Sequence, residues 1–310
     1  MKIGTDLVTF NNPCFWNVKT EADIATLAAA DAPAFWTRIL DSVRDAGVCG
    51  IELTFPPFEP SALAATFGPQ SRILSELRAR GLEIWSSFFA DLDRIPVSEH
   101  AQSEELILAR VHAASELLAH LDGKVLVAGL PCREAFPSCS HRFVDLDFAA
   151  PLAGLLNRMG AASAEHGITL AIHTEAHSVA CASRDVDLFM LLTDPRYVAL
   201  CPDPAHIILE GCDPVSLVRR HLSRVVAMHW KDATGPMPAT TPIDANIHAR
   251  HRPYFCEPGA GRVDFASLNA LLAHAPLSCG PILELDSCPT PIPALERGTE
   301  FIRQIAGHTA

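Results

Sequence analysis

The chain has little of what nucleic-acid binding demands. It holds only 2 Tyr and 4 Trp among 310 residues, too few for the aromatic strip on which single-stranded bases stack. Positive charge is also scarce: 24 Lys and Arg face 36 Asp and Glu, for a net charge of −12 and a pI of about 5.6. Such a surface repels phosphate backbones and gives no hold on anionic lipid. No C-x-x-C pair occurs among the ten cysteines, of which Cys132 and Cys139 are the closest two. Cys49 and Cys201 fall in or at the end of apolar runs, where a thiol behaves as a small hydrophobe. Reduced, structural cysteines of a cytoplasmic protein are therefore expected. No stretch is long and apolar enough to cross a membrane, and Met1 to Asp6 reads directly as a first strand without a signal-peptide core. No Gly-x-Gly-x-x-Gly follows that strand, which disfavours an open dinucleotide-binding sheet. With no linker or low-complexity tract, one domain over residues 1–310 is expected.

What is present is apolar and periodic. Hydrophobic residues make up 49% of the chain, and the mean hydropathy is +0.18, ample for a large core. Short runs at 3–5, 48–53, 82–88, 124–128, 168–172, 197–201, 224–228 and 281–286 read as strands. Segments 33–46, 71–80, 99–120, 148–166, 183–192, 213–221, 265–274 and 293–305 read as helices. Residues 130–145 and 233–262 read as loops. Nearly continuous Val, Ile and Leu in the strands indicates a parallel sheet buried on both faces. Eight strand–helix pairs fit a closed α/β (β/α)8 TIM barrel, a fold of typically about 250 residues.

Polar groups cluster where such strands end. Glu52 lies in the second strand. His173, Glu175 and His177 close the fifth, Asp203 and His206 the sixth, and His229, Lys231 and Asp232 the seventh. Glu284 and Asp286 lie in the eighth. In a barrel these ends ring one mouth, the usual site of ligand binding. Carboxylates and an imidazole from three strands, Asp203, His229 and Glu284, make a mixed N/O set suited to Mn²⁺, Co²⁺, Zn²⁺ or Mg²⁺, with positions left for substrate oxygens. Pro202 and Pro204 stiffen the backbone on either side of Asp203. Other positions have plainer readings. His177 reads as a loop residue, Lys231 and Asp232 as pairing with each other or with neighbours, and Glu52 equally as a direct metal ligand or as a contact to substrate or behind a ligand. Trp16, Trp85, Phe88 and Trp230 serve equally as sugar-facing walls or as core. A multi-metal nuclease site would need a larger His/Glu set than is evident here.

Four stretches resemble a known family: residues 191–206 ending in Asp203-Pro204-Ala205-His206, then His229-Trp230-Lys231-Asp232, then 257–265 with Glu257-Pro258-Gly259-Ala260-Gly261, then 282–286. Together with Gly50-Ile51-Glu52 they are similar to the sugar phosphate isomerase/epimerase group of xylose isomerase-like barrels. The resemblance implies one divalent metal held from strands five to eight, by Asp203, His229 and Glu284, with His206 touching substrate. Ketose epimerases of the group usually carry a glutamate on strand five. Here His173 stands there with Glu175 two residues on, which is nearer to inosose dehydratases. The fourth ligand is then His173 or Glu175. The implied activity is metal-assisted proton abstraction next to the carbonyl of a ketose, with Glu284 or Glu175 as base, His206 or His173 as acid, and Glu52, Lys231, Trp16 and Trp85 as candidate substrate contacts. Isomerase or epimerase action stands first, with elimination of water from a keto-sugar or inosose as the alternative. A non-catalytic carbohydrate-binding barrel is the reading from another class. The partner expected is a small sugar, with no nucleic acid or membrane, and the sequence leaves monomer and homo-oligomer both open.

Overall fold

The computed structural model describes residues 1–95, 99–133, 142–244, 246–286 and 288–307. Cys139 and the middle of the loop expected at 130–145 lie outside the described residues. Eight parallel strands form the centre: β1 (Gly4–Asp6), β2 (Gly50–Leu53), β3 (Glu83–Phe89), β4 (Val125–Ala128), β5 (Thr169–His173), β6 (Val198–Cys201), β7 (His229–Trp230) and β10 (Ile282–Leu283). A two-stranded antiparallel hairpin, β8 (Asp232–Ala233) with β9 (Phe255–Cys256), lies in the connection after β7. The sheet runs β6-β5-β4-β3-β2-β1-β10-β7. Its two ends meet through a parallel bridge between Leu200 and Val225. Val226 N–H donates to Leu200 O at 3.1 Å, and His229 N–H donates to Pro202 O at 3.2 Å.

The period of two along each strand sorts residues between two apolar layers. Val125, Val127, Ala171, Ala199, Cys201, Val226 and Ile282 pack together with Trp85 inside the ring. Their neighbours Leu126, Ala128, Leu170, Ile172, Val198 and Leu200 join the layer under the helices. Two residues beyond Ala171, Cys201 and Ile282 come His173, Asp203 and Glu284. The same alternation that fills the barrel therefore presents these side chains at its C-terminal mouth. At the opposite end Trp85 is the plug. A Cβ on Gly4 or Gly50 would come within 2.6 or 2.3 Å of its ring, so the indole fits only because both facing residues are glycine.

The expected helices are present, Ser183–Leu192 with the ends expected and others with shifted ends, for example Glu104–His120, Leu146–Ala164 and Pro291–Gly307. Short helices at Glu21–Ala30, Pro60–Phe67, Pro204–Leu209 and Ile247–His251 occupy segments expected to be loops. The starts of the first three carry local reasons. Thr20 and Asp23 form a reciprocal capping box, and Pro60 and Pro204 stand in first turns. The seventh strand also lies differently from 224–228. Val225 meets β6 while His229 and Trp230 pair with β10, so the paired residues extend further toward the mouth.

Gly160 tests the packing of helix on barrel. It lies inside Leu146–Ala164, and a Cβ there would come 2.4 Å from Tyr197 O. Helix propensity alone favours Gly160→Ala by roughly 0.5–1 kcal/mol. The clash with backbone is expected to win, lowering stability by about 1–3 kcal/mol. A urea midpoint at or above the parental value would show that the helix does not pack this closely.

Candidate metal centre

His173 is the last residue of β5 and His229 the first of β7; Asp203 follows β6 and Glu284 follows β10. All four are buried, and one donor atom from each lies within 4.8 Å of the others. His173 Nε2 is 3.2 Å from His229 Nδ1 and 3.9 Å from Asp203 Oδ2. His229 Nδ1 is 2.5 Å from Glu284 Oε2. Ligands sharing a tetrahedral ion with bonds of about 2.0–2.1 Å stand roughly 3.3 Å apart, within the range of these separations. Asp203 divides its two oxygens. Oδ1 caps the helix Pro204–Leu209, accepting from Ala205 N at 2.8 Å and His206 N at 3.1 Å. Oδ2 is buried without a hydrogen-bond partner among the described residues. A buried carboxylate oxygen is costly when unpaired, and a cation at the cluster answers it. The donor set therefore fits a divalent ion.

The surroundings prepare the imidazoles for that role. His229 Nε2 lies 2.8 Å from Glu52 Oε1. It donates there, which leaves the Nδ1 lone pair facing the cluster. Glu52 in turn accepts from Ser86 Oγ at 2.5 Å and is wholly buried. Asp6, at the end of β1, stands beside it. Burial first, then the charges of Glu52 and Glu284, lift the Asp6 carboxyl well above its usual range, which favours an acid that donates to Glu52. Burial opposes positive charge on His173, yet Asp203 and Glu175 take that ring up to about 9. Burial likewise opposes charge on His229, and Cys201, Glu52 and Glu284 raise it well above the ordinary value. The cluster thus favours positive charge, a preference a metal ion also meets.

A second pair of groups faces the same cavity, which measures about 330 Å³. Lys231 Nζ is buried 2.7 Å from Glu284 Oε1 and 2.8 Å from Asp286 Oδ2, and 4.0 Å above the Phe255 ring. Burial works against its charge, but Asp286 and Glu284 raise its pKa well above normal. His206 accepts from Ala176 N–H on Nδ1 at 3.0 Å. Burial pushes this ring down to about 4, so it is neutral at pH 7 with its proton on Nε2. That Nε2 lies 3.1 Å from Lys231 Nζ. The two donors converge beside the cavity, each about 4 Å from Asp203 Oδ2 (3.9 Å for Lys231 Nζ and 4.0 Å for His206 Nε2), a place for a substrate oxygen.

Of the residues singled out in the sequence, His173, Asp203, His229 and Glu284 come together. Glu175 stands aside from that group, with Oε2 3.4 Å from His173 Nδ1, and forms a separate set with His248 and His251. His206, Lys231 and Glu175 line the cavity. Three expected substrate contacts do not. Glu52 is sealed behind His229. Trp85 plugs the far end of the barrel. Trp16 is buried, stacked on Phe35 at 4.3 Å, and donates from Nε1 to Phe10 O. Trp230 likewise stacks on Phe265 in the core, while Phe88 does line the cavity. Asp232 pairs with backbone and not with Lys231. It accepts from the N–H groups of Ala233, Gly259, Gly261 and Val263 at 2.8–3.0 Å. A Cβ on Gly261 would sit 2.3 Å from Asp232 Oδ1, which accounts for glycine in that motif. The sequence reading missed Asp6, His248, His251 and Arg252, all on the cavity wall. The three-residue spacing of His248 and His251 was the available signal.

Comparison with known proteins agrees with this architecture. Residues 40–305 match the family described as xylose isomerase-like TIM barrel. An inosose dehydratase of Bacillus velezensis is 26% identical over 249 residues, covering 77% of this chain and 80% of that protein. The structure of the IOLI protein with a bound zinc atom superposes with a TM-score of 0.68 at 13% identity, over 98% of each chain. That of an L-ribulose 3-epimerase gives 0.67 at 16% identity, over 98% of this chain and 94% of the other.

Glu52→Gln is expected to weaken Mn²⁺ binding by about 10–100-fold, because the carboxylate that orients His229 loses its charge. Calorimetric titration of the metal-free protein reads this. An unchanged affinity would mean that Glu52 does not hold the His229 ring.

Proposed function

The chain belongs to the xylose isomerase-like TIM-barrel family, and on that premise we propose that it is a divalent-metal-dependent lyase that removes water from an uncharged polyhydroxylated ketone. The observation that carries the reading is the pair of converging donors, His206 Nε2–H and Lys231 Nζ, on the same wall as Glu284. A base beside a paired donor site suits elimination, where one carbon loses a proton while a neighbouring carbon loses hydroxide. Epimerisation asks instead for a second base facing the first across the substrate. The strand-five position that supplies one in ketose epimerases is an imidazole here, His173. The similarity to inosose dehydratases over most of the chain lends further support.

An ion held by His173, Asp203, His229 and Glu284 would supply Lewis-acid polarisation of the substrate carbonyl. The rest falls to side chains. Glu284 takes the proton from the carbon next to the carbonyl. His206 Nε2–H and the Lys231 ammonium hold the hydroxyl on the following carbon. Lys231 protonates that oxygen as its bond to carbon breaks, and it leaves as water. The proton on Glu284 returns to Lys231 across their 2.7 Å contact, so each group ends as it began. The product is an α,β-unsaturated ketone and one water. Phe55 and Phe88 give the cavity its apolar wall.

The charge of the lining argues for a neutral substrate. Lys231 is committed to Glu284 and Asp286, and Arg252 pairs with Glu21 at 2.7 Å. Asp6 and Glu175 add further carboxyl groups. A phosphate or carboxylate on the substrate would meet a wall whose two cations are already engaged.

Metal-loaded protein incubated with inososes and ketoses in deuterated water tests the reading. Loss of water with formation of an unsaturated ketone is expected. Deuterium exchange and stereoinversion without loss of water would replace it with the epimerase reading, and neither reaction would leave a binding barrel. Lys231→Met is expected to lower dehydration by at least about 100-fold, while deuterium exchange next to the carbonyl continues. Equal loss of both steps would remove Lys231 from protonation of the leaving oxygen.

A further inference from the structure

The cavity has a second set of metal-capable donors that the proposed reaction does not use. Glu175 follows β5, two residues beyond His173. His248 and His251 lie three apart on the helix Ile247–His251, a spacing that puts them on one face. Glu175 Oε1 is 3.4 Å from His248 Nδ1 and 4.0 Å from His251 Nδ1, and the three donors lie within 4.8 Å of one another. These distances exceed those of a good charge-assisted hydrogen bond, about 2.7–2.9 Å. The shorter is close to the spacing of roughly 3.3 Å expected between ligands on a common tetrahedral ion, and the longer is still within reach of two bonds of about 2.0–2.2 Å.

The His251 ring is positioned from behind. It is buried and its Nε2 lies 3.1 Å from His177 Nδ1, with the two rings stacked at 5.2 Å. That contact aims Nδ1 at Glu175, as the partner behind a metal-bound imidazole commonly does. His177 therefore has a structural task that its loop position did not suggest.

We propose that Glu175, His248 and His251 bind a second divalent cation, of the Zn²⁺ class, in the same cavity as the first. Two imidazoles and one carboxylate are a set that zinc accepts while keeping a further position for water or substrate. Mg²⁺, which prefers oxygen ligands and retains its waters, is disfavoured. No residue is shared between the two sets. All three ligands line the cavity, so a substrate oxygen or water can complete the coordination. The His/Glu set whose apparent absence counted against more than one metal in the sequence is thus present once the chain is folded.

Chelated protein, loaded with Zn²⁺ and passed through a desalting column, tests the proposal by metal count per chain. The native chain is expected to retain two equivalents, and His248→Ala and Glu175→Gln one each. His248 is more than half exposed, at 54% of its side chain, so its replacement spares the fold. Asp203→Asn is expected to lose the other equivalent and keep this one. A native chain that retains one equivalent, or a His248→Ala variant that retains two, overturns the second site. Loss of the equivalent that depends on Asp203 bears instead on the proposed reaction, so the two failures are distinguishable.

Discussion

Two backbone hydrogen bonds, from Val226 to Leu200 and from His229 to Pro202, join the ends of the sheet into a ring. Without that closure β6 and β7 would be opposite edges of an open sheet, as the pairing order β6-β5-β4-β3-β2-β1-β10-β7 makes plain. Asp203 stands just past one of these ends and His229 at the other. Their donor atoms meet only because the ring closes. Closure also fixes the inside of each strand, and with it the phase in which His173, Asp203, His229 and Glu284 all point to the axis.

Gathering so many ionisable groups in a buried place has a cost that the structure meets by pairing. Asp203, Glu284 and Asp286 surround one ammonium, that of Lys231. Glu52 is matched by His229 and Ser86, and Asp6 is pushed toward its neutral form beside Glu52. Carboxyl groups still outnumber fixed cations here. A pocket of that balance draws divalent metal and turns away anionic substrates. Metal capacity and the proposed preference for an uncharged polyol thus have the same origin.

The barrel was legible because its evidence is local. Runs of Val, Ile and Leu ended at polar residues, and glycines such as Gly47, Gly81 and Gly167 closed helices with positive φ. The resemblance carried by Asp203, His206, His229 and Lys231 likewise rests on short stretches. Of the short helices, Ile247–His251 was missed because residues 233–262 have loop-like composition, and what organises another part of that stretch is Asp232, distant in sequence from Gly259 to Val263. The tryptophans were misjudged for a related reason. Trp85 lies in a strand that reaches the mouth, but its own place in that strand is at the other end, against Gly4 and Gly50. Residue type says that an indole wants burial; it does not say at which end of a barrel.

Sequence by itself determined the class of fold, the strand ends from which chemistry is done, and three of the four donors that converge there. Periodicity and chain order encode these, since each depends on residues within a few positions of one another. Tertiary structure alone decided that His173 joins Asp203, His229 and Glu284 while Glu175 turns to His248 and His251. It also decided that Glu52 is hidden behind His229, and that Lys231 and His206 aim at one point. Side chains two apart on a strand share a face, so spacing could not separate His173 from Glu175. The separation came from a helix some seventy residues downstream, folded back over the mouth of the barrel.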